Sequence, residues 1–224
     1  MERLNKVEKS IIFGGDSEIG AWIVKALNKI NIESIIIPKK EKLSQPYADV
    51  TNYSQVKNAY KFLFKKNLEV KSIYYCAGVN EETLISESDP IKWENVINVN
   101  LMGAYYVYHA FCNFSPIQKK TKFVFLGSTA SVSRPKKHSS YSISKLALEQ
   151  LTNYINNEPP NNIRACCIRL GRCKTKFSNS LENNDVLNFE DIEQMVKMLE
   201  FCRLETFPDY ISSRPMLDQS IHFR

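Results

Sequence analysis

The stretch Ser10-Ile-Ile-Phe-Gly-Gly-Asp-Ser-Glu-Ile-Gly20 decides the fold. Its first part is a short apolar run ended by glycine, the pattern of a strand buried on both faces. From Glu18 to Ile30, the apolar residues Ile19, Ile23, Ala26, Leu27 and Ile30 recur at helical spacing. Between strand and helix lies a glycine-rich turn. Glycines there permit a tight reversal and let backbone approach a phosphate group, which a helix N-terminus favours electrostatically.

The same alternation continues outward. Ser34 to Pro38 reads as a second buried strand, and Tyr53 to Lys66 as a helix with Val56, Ala59, Tyr60 and Leu63 on one face. Lys71 to Gly78 is a strand ended by glycine. A helix begins at Pro90, where proline suits the first turn, and runs through Trp93, Val96, Ile97 and Asn100 toward Phe111. Then come a strand from Lys122 to Leu126, a helix from Tyr141 to Asn156 and a strand from Ile163 to Leu170. A helix from Glu190 to Phe201 and a terminal strand around Pro215 to Leu217 complete the chain. Strands alternating with helices predict an α/β fold: a doubly wound parallel sheet with helices on both faces, in one domain over residues 1–224.

Bulk properties narrow the function. The chain has 224 residues, 43% hydrophobic and 24% charged, which is ordinary for a water-soluble globular domain. No apolar run approaches the roughly 20 residues of a membrane span. The N-terminal residues Met1 to Lys9 are charged and carry no apolar leader stretch, so a cytoplasmic protein without a membrane partner is expected. None of the six cysteines forms a C-x-x-C pair or a cluster with histidine, which predicts buried free thiols and no metal site. The net charge is +6, but the lysines are scattered, as with Lys57, Lys61, Lys65 and Lys66 on one predicted helix. That pattern reads as solvated surface, not a nucleic-acid interface.

The chemistry is carried by Ser139-Ser-Tyr-Ser-Ile-Ser-Lys145. Tyr141 and Lys145 stand four apart, on one face of a helix, and Ser128 ends the upstream strand. A lysine ammonium beside a phenol favours phenolate and is expected to lower the Tyr141 pKa from about 10, making it a proton donor and acceptor near neutral pH. Glu18, at the start of the first helix, is expected to point into solvent.

Taken together, these pieces resemble the short-chain dehydrogenase/reductase family over nearly the whole chain. The family's T-G-x-x-x-G-I-G appears as Phe13-Gly-Gly-Asp-Ser-Glu-Ile-Gly20, which keeps Gly14, Ile19 and Gly20. Asp49-Val50 matches the acidic residue and aliphatic that follow the family's third strand, bringing the expected strand count to about seven. Tyr75-Cys-Ala-Gly78 stands for N-N-A-G with both asparagines gone. Asn98-Val-Asn-Leu-Met-Gly103 places the structural asparagine at Asn100, and Leu170-Gly-Arg-Cys-Lys-Thr175 matches P-G-x-x-x-T with the proline lost.

The resemblance implies hydride transfer between a nicotinamide dinucleotide and a carbonyl or secondary alcohol. Tyr141 would be the general acid and base, Ser128 would bind the carbonyl oxygen, Lys145 would hold the nicotinamide ribose, and Asn100 would anchor a relay water. It assigns dinucleotide binding to Gly14, Gly15, Ser17, Glu18, Ile19, Gly20, Asp49, Val50, Cys76, Ala77, Gly78, Tyr141, Lys145, Gly171, Cys173 and Thr175. The second strand ends Ile37-Pro-Lys-Lys40 without a carboxylate before Glu41, so Lys39 suits a 2′-phosphate and NADP(H) is favoured over NAD(H). Arg134, Lys136, Lys137 and His138 are expected to rim the substrate cleft, which suggests a small-molecule carbonyl or alcohol that is anionic or carrier-linked. His138 itself reads as a loop residue. The stretch Lys176 to Asn188 is short for the family's substrate lid, and the family's habit implies a homodimer or homotetramer. The alternative function is a non-catalytic nicotinamide-binding regulator of the same fold.

Overall fold

Successive side chains along the central strands point to opposite faces of the sheet, and both faces are buried. The computed structural model describes residues 8–41, 45–65, 68–115, 120–158, 162–178 and 186–215. Six strands are found among them: β1 (Glu8–Phe13), β2 (Ser34–Ile37), β3 (Glu69–Tyr75), β4 (Thr121–Ser128), β5 (Ile163–Leu170) and β6 (Tyr210–Ser213). They form one all-parallel sheet in the order β2-β1-β3-β4-β5-β6. Ile11, Phe13, Ile73, Tyr75, Phe123, Phe125 and Cys167 face one side. There they pack under α2 (Tyr53–Phe64), α4 (Gly103–Phe114) and α6 (Ser139–Asn157). Ile12, Tyr74, Val124, Cys166 and Ile168 face the other side, beneath α1 (Glu18–Lys29) and α7 (Phe189–Phe201). The doubly wound arrangement is therefore present, and parallel pairing is tolerated because both faces are covered.

Two strands differ from expectation. Residues 45–52 carry no strand ahead of Asp49; the chain there makes one backbone bond toward β2, from Ala48 N to Pro38 O at 2.9 Å. That accounts for six strands where about seven were expected. The terminal strand lies at Tyr210–Ser213, ahead of Pro215, while residues 216 and 217 of the expected strand fall outside the described residues, as does Lys66 of the expected second helix.

The long helix expected from Pro90 to Phe111 is interrupted. It forms α3 (Pro90–Ile97), a π-helical turn over Asn98–Met102, and α4. A π turn redirects side chains and releases a carbonyl from the ladder. Here the Tyr75 hydroxyl donates to the Val99 carbonyl. Tyr75, which replaces the first asparagine of the family motif, thus ties the end of β3 to the turn that presents Asn100.

The cysteines are free, and Cys76, Cys166, Cys167 and Cys173 are buried. Glu200 of α7 is buried against the sheet, where Oε1 accepts from Ser72 Oγ at 2.6 Å and Tyr74 OH at 2.7 Å. No described helix is long and apolar enough to cross a membrane.

Candidate active site

The C-terminal ends of β1, β3, β4 and β5 open into one cleft of about 820 Å³. In open parallel sheets the crevice beyond the strand ends is the usual ligand site. Of the dinucleotide-binding residues expected from the sequence, Ser17, Glu18, Ile19, Cys76, Gly78, Tyr141, Lys145, Gly171, Cys173 and Thr175 line it, as does Ser128. Gly14, Gly15, Gly20, Ala77 and Asn100 are not among the lining residues. Lys39, Asp49 and Val50 lie to the β2 side and do not line it.

The glycine turn has the geometry its sequence called for. Gly14 adopts φ +74°, and a Cβ there would sit 2.6 Å from the Ala77 amide nitrogen. Any side chain would push the β1 and β3 connections apart. At Gly20 a Cβ would strike the Gly14 carbonyl, so α1 starts directly on the turn. Ser17 caps α1: its hydroxyl accepts from Gly20 N at 3.1 Å and donates to Gly14 O at 2.8 Å. The result is a backbone cradle at a helix N-terminus, which fits a pyrophosphate. Gly14→Ala is expected to cost about 2–4 kcal/mol, since a left-handed non-glycine residue is combined with a backbone collision. Urea denaturation of the purified variant measures this.

Glu18 corrects the sequence reading. Its carboxylate is exposed but does not simply face solvent. Oε2 accepts from the Lys176 backbone amide at 2.9 Å, linking the start of α1 to the segment after Thr175. Phe177, next along, packs on Tyr141 with ring centroids 6.0 Å apart. Residues 179–185, the middle of the expected short lid, fall outside the described residues.

Ser128 and Tyr141 are brought together from the end of β4 and the first turn of α6. Both residues line the cleft, and Ser128 Oγ accepts from Ala130 N at 3.1 Å. The Tyr141 pKa is not lowered. Burial raises it to about 12, the nearby Ser128 hydroxyl pulls it back in part, and Cys173 adds to the rise. Lys145 does not counter this, because its ammonium is 5.5 Å from the Tyr141 ring centroid and donates to the Leu126 carbonyl at 2.7 Å. Lys145 is itself buried, which pushes its pKa down to about 8, although the neighbouring Cys167 and Cys76 thiols act the other way. Sequence spacing places two groups on one helix face; the dielectric around them decides the direction of the shift.

Asn100 is fully buried and bonded at both ends of its amide. Nδ2 donates to Val79 O and Ser144 Oγ, each at 2.9 Å, and Oδ1 accepts from Val79 N at 2.9 Å. It locks the connection after β3 onto α6, and Gly78 lies between it and Lys145.

On the β2 side Lys39 has a partner within the chain. Lys39 Nζ is 3.1 Å from Asp49 Oδ2. Burial alone would raise the Asp49 pKa, but hydrogen bonds from Thr51 and the Lys39 ammonium outweigh it and hold the carboxyl below its ordinary value. Lys39 and Asp49 thus neutralise each other. The arginine and lysines expected near the cleft do not line it. Of Arg134 to His138, only Pro135 and His138 line the cleft. Arg134 takes a left-handed φ of +49° that turns the chain at the end of the short helix Ala130–Ser133, and Lys136 and Lys137 are exposed. The charged lining instead includes Asp16, Glu18 and Glu82 against Lys145 and Arg172.

Sequence reasoning missed a support network. Ser131 Oγ lies 2.8 Å from the Ser128 carbonyl and 2.6 Å from Glu149 Oε1, two acceptors for its one proton. Arg169 grips Glu149 in a bidentate pair at 2.8 and 2.6 Å. These residues come from β4, the short helix Ala130–Ser133, α6 and β5, so no local spacing announces them. Asn80 and Glu82 in the cleft wall are equally silent in sequence.

Known proteins resemble this chain in sequence and in fold. Residues 9–186 match the family model described as short chain dehydrogenase. The chain is 23% identical to a 3-oxoacyl-[acyl-carrier-protein] reductase of Buchnera aphidicola, covering 80% of this chain and 79% of that one. It is 28% identical to short-chain dehydrogenase reductase 5 of Arabidopsis thaliana, covering 86% and 76%. Aldohexose dehydrogenase of Thermoplasma acidophilum superposes with a TM-score of 0.80 at 19% identity, over 92% of each chain.

Proposed function

The chain belongs to the short-chain dehydrogenase family, and from that premise we propose that it is an NAD(P)(H)-dependent oxidoreductase acting on a carbonyl or secondary alcohol of a small molecule. The single observation that carries this is that Ser128, Tyr141 and Lys145, from two different elements, line one cleft together with Ser17, Glu18 and Ile19 at the start of α1. The amides at the start of α1 would hold the pyrophosphate, and Lys145 and the Gly171–Thr175 segment would hold the nicotinamide nucleoside. A bound dinucleotide supplies the hydride donor or acceptor. Tyr141 passes a proton to the substrate oxygen, Ser128 donates a hydrogen bond to that same oxygen, and Lys145 sets the positive potential beside both. A phenol whose pKa is raised to about 12 keeps its proton at neutral pH, as a proton donor to the carbonyl oxygen must.

NADP(H) is the favoured cofactor. β2 ends without a carboxylate, and Lys39 and Lys40 follow it; a 2′-phosphate would compete with Asp49 for Lys39. Because Lys39 is exposed and already paired, the expected preference is modest, about tenfold in Kd. Fluorescence titration with NADPH and NADH measures it. Lys39→Ala with Lys40→Ala should remove it, and tighter binding of NADH by the unaltered protein refutes the assignment. A homo-oligomer is supported by apolar side chains left exposed on α4 and α6, namely Tyr105, Ile143, Leu146 and Tyr154.

Turnover is tested by following loss of the reduced cofactor against a panel of ketones and aldehydes. Saturable, carbonyl-dependent oxidation is expected. Tight dinucleotide binding with no turnover on any member would support the regulatory alternative instead.

A further inference from the structure

His138 has no part in the proton transfer described above, yet two chain segments remote in sequence converge on it. Thr83 forms a parallel bridge with His138, and the Thr83 amide donates to the Lys137 carbonyl at 2.8 Å. The His138 amide donates to Pro135 O at 3.0 Å, and its carbonyl accepts from Ser142 N at 2.8 Å, in the first turn of α6. The backbone is therefore held on both sides, three residues from Tyr141. The imidazole is held as well. Its Nδ1 lies 2.9 Å from the Asn80 amide nitrogen and 3.2 Å from the Asn80 amide oxygen.

Both amide atoms are within reach of Nδ1, and the nitrogen is the nearer. In the arrangement where Asn80 Nδ2–H donates into the Nδ1 lone pair, the ring carries its N–H at Nε2. No hydrogen bond ties Nε2 to any other described residue. His138 and Asn80 line the cleft together with Ser128 and Tyr141. A fixed donor in the same cleft must be matched by the substrate, because an apolar group against it would leave it desolvated and unpaired.

We propose that His138, with its tautomer set by Asn80, is a specificity-determining residue whose Nε2–H binds a second oxygen of the substrate, so that the substrate is an oxygenated carbonyl compound of the hydroxyketone or sugar class. This rests on the reading of the cleft as a carbonyl-reducing site. Glu82 on the same wall and the absence of Lys136 and Lys137 from the lining favour a neutral compound over an anion.

The test uses a shape-matched pair, 2-hydroxycyclohexanone and 2-methylcyclohexanone. The unaltered enzyme is expected to prefer the hydroxyl compound by about tenfold in kcat/KM, the worth of one well-placed hydrogen bond. His138→Leu should reduce that ratio to within about twofold. His138→Gln, which keeps an N–H donor, should retain part of it, and Asn80→Ala should diminish it. Long-range 15N–1H NMR of the histidine rings, tractable with three histidines in the chain, should show the Nε2–H tautomer for His138 and a mixed population in Asn80→Ala. Absence of the preference in the unaltered enzyme, its survival in His138→Leu, or an Nδ1–H tautomer would each overturn the proposal. The same pair titrated into the enzyme with oxidised dinucleotide gives the ratio as Kd values without turnover. A protein that binds the pair with the expected ratio but reduces neither sinks the reductase reading and leaves the His138 assignment standing.

Discussion

Tyr141→Phe is expected to lower kcat for carbonyl reduction by about 10³-fold, within the range a positioned general acid contributes. The substitution removes one oxygen and its proton. The ring remains to pack against Phe177, and Ser128 keeps its bond to the Ala130 amide. Cofactor affinity should therefore change by no more than about threefold, because the lost group acts in the transition state and not in ground-state binding. Stopped-flow reduction at saturating cofactor, alongside fluorescence titration of the reduced dinucleotide, separates the two. A variant that retains more than about a tenth of the unaltered rate would remove Tyr141 from the proton path. In the unaltered enzyme the phenol, raised to about 12, should impose no acidic-to-neutral limb on reduction.

Lys145→Met is the second large effect, and it reads differently. Activity should fall by about 10²–10³-fold with the loss of the positive potential at the site. The fold should survive. Burial drops the Lys145 pKa from 10.5 to about 8, which corresponds to roughly 3 kcal/mol of native-state cost when the amine is charged. Removing the charge relieves that cost and forfeits a charged hydrogen bond to Leu126 O worth about 1.5–3 kcal/mol, so the melting temperature should move by only a few degrees. The sign follows from proton counts. Below about pH 8 both folded and unfolded chains carry the proton, and the cost is present in full. Between about 8 and 10.5 only the unfolded chain binds it, so native stability rises with pH through this window and the advantage of methionine shrinks. Reduction by the unaltered enzyme should decline as pH rises through about 8, where the ammonium is lost. A pH profile of kcat/KM with no change near that value would separate Lys145 from the chemistry.

These expectations depend on features that were legible to different degrees. The Ser10–Gly20 pattern announced a strand, a turn and a helix, and those elements formed as β1, the Gly14–Ser17 turn and α1. Gly14 could be read because a left-handed residue in a tight turn has few alternatives to glycine. Ser128, Tyr141 and Lys145 could be placed near one another because two are a helical turn apart and the third ends a neighbouring strand. The π turn at Asn98–Met102 could not be read, since its periodicity differs from an α-helix by one residue and Tyr75 supports it from a different element.

The amino-acid sequence by itself determined the doubly wound sheet and which side chains could carry chemistry, because burial periodicity and turn preferences are local properties. Tertiary structure alone decided how those side chains behave. It raised the Tyr141 pKa, paired Lys39 with Asp49, bound Glu18 to the Lys176 amide, left Lys136 and Lys137 exposed outside the cleft lining and set His138 against Asn80. The physical reason is that desolvation and hydrogen-bond partnership are imposed by whatever the fold packs alongside a group, and for most of these residues the neighbour lies far away along the chain.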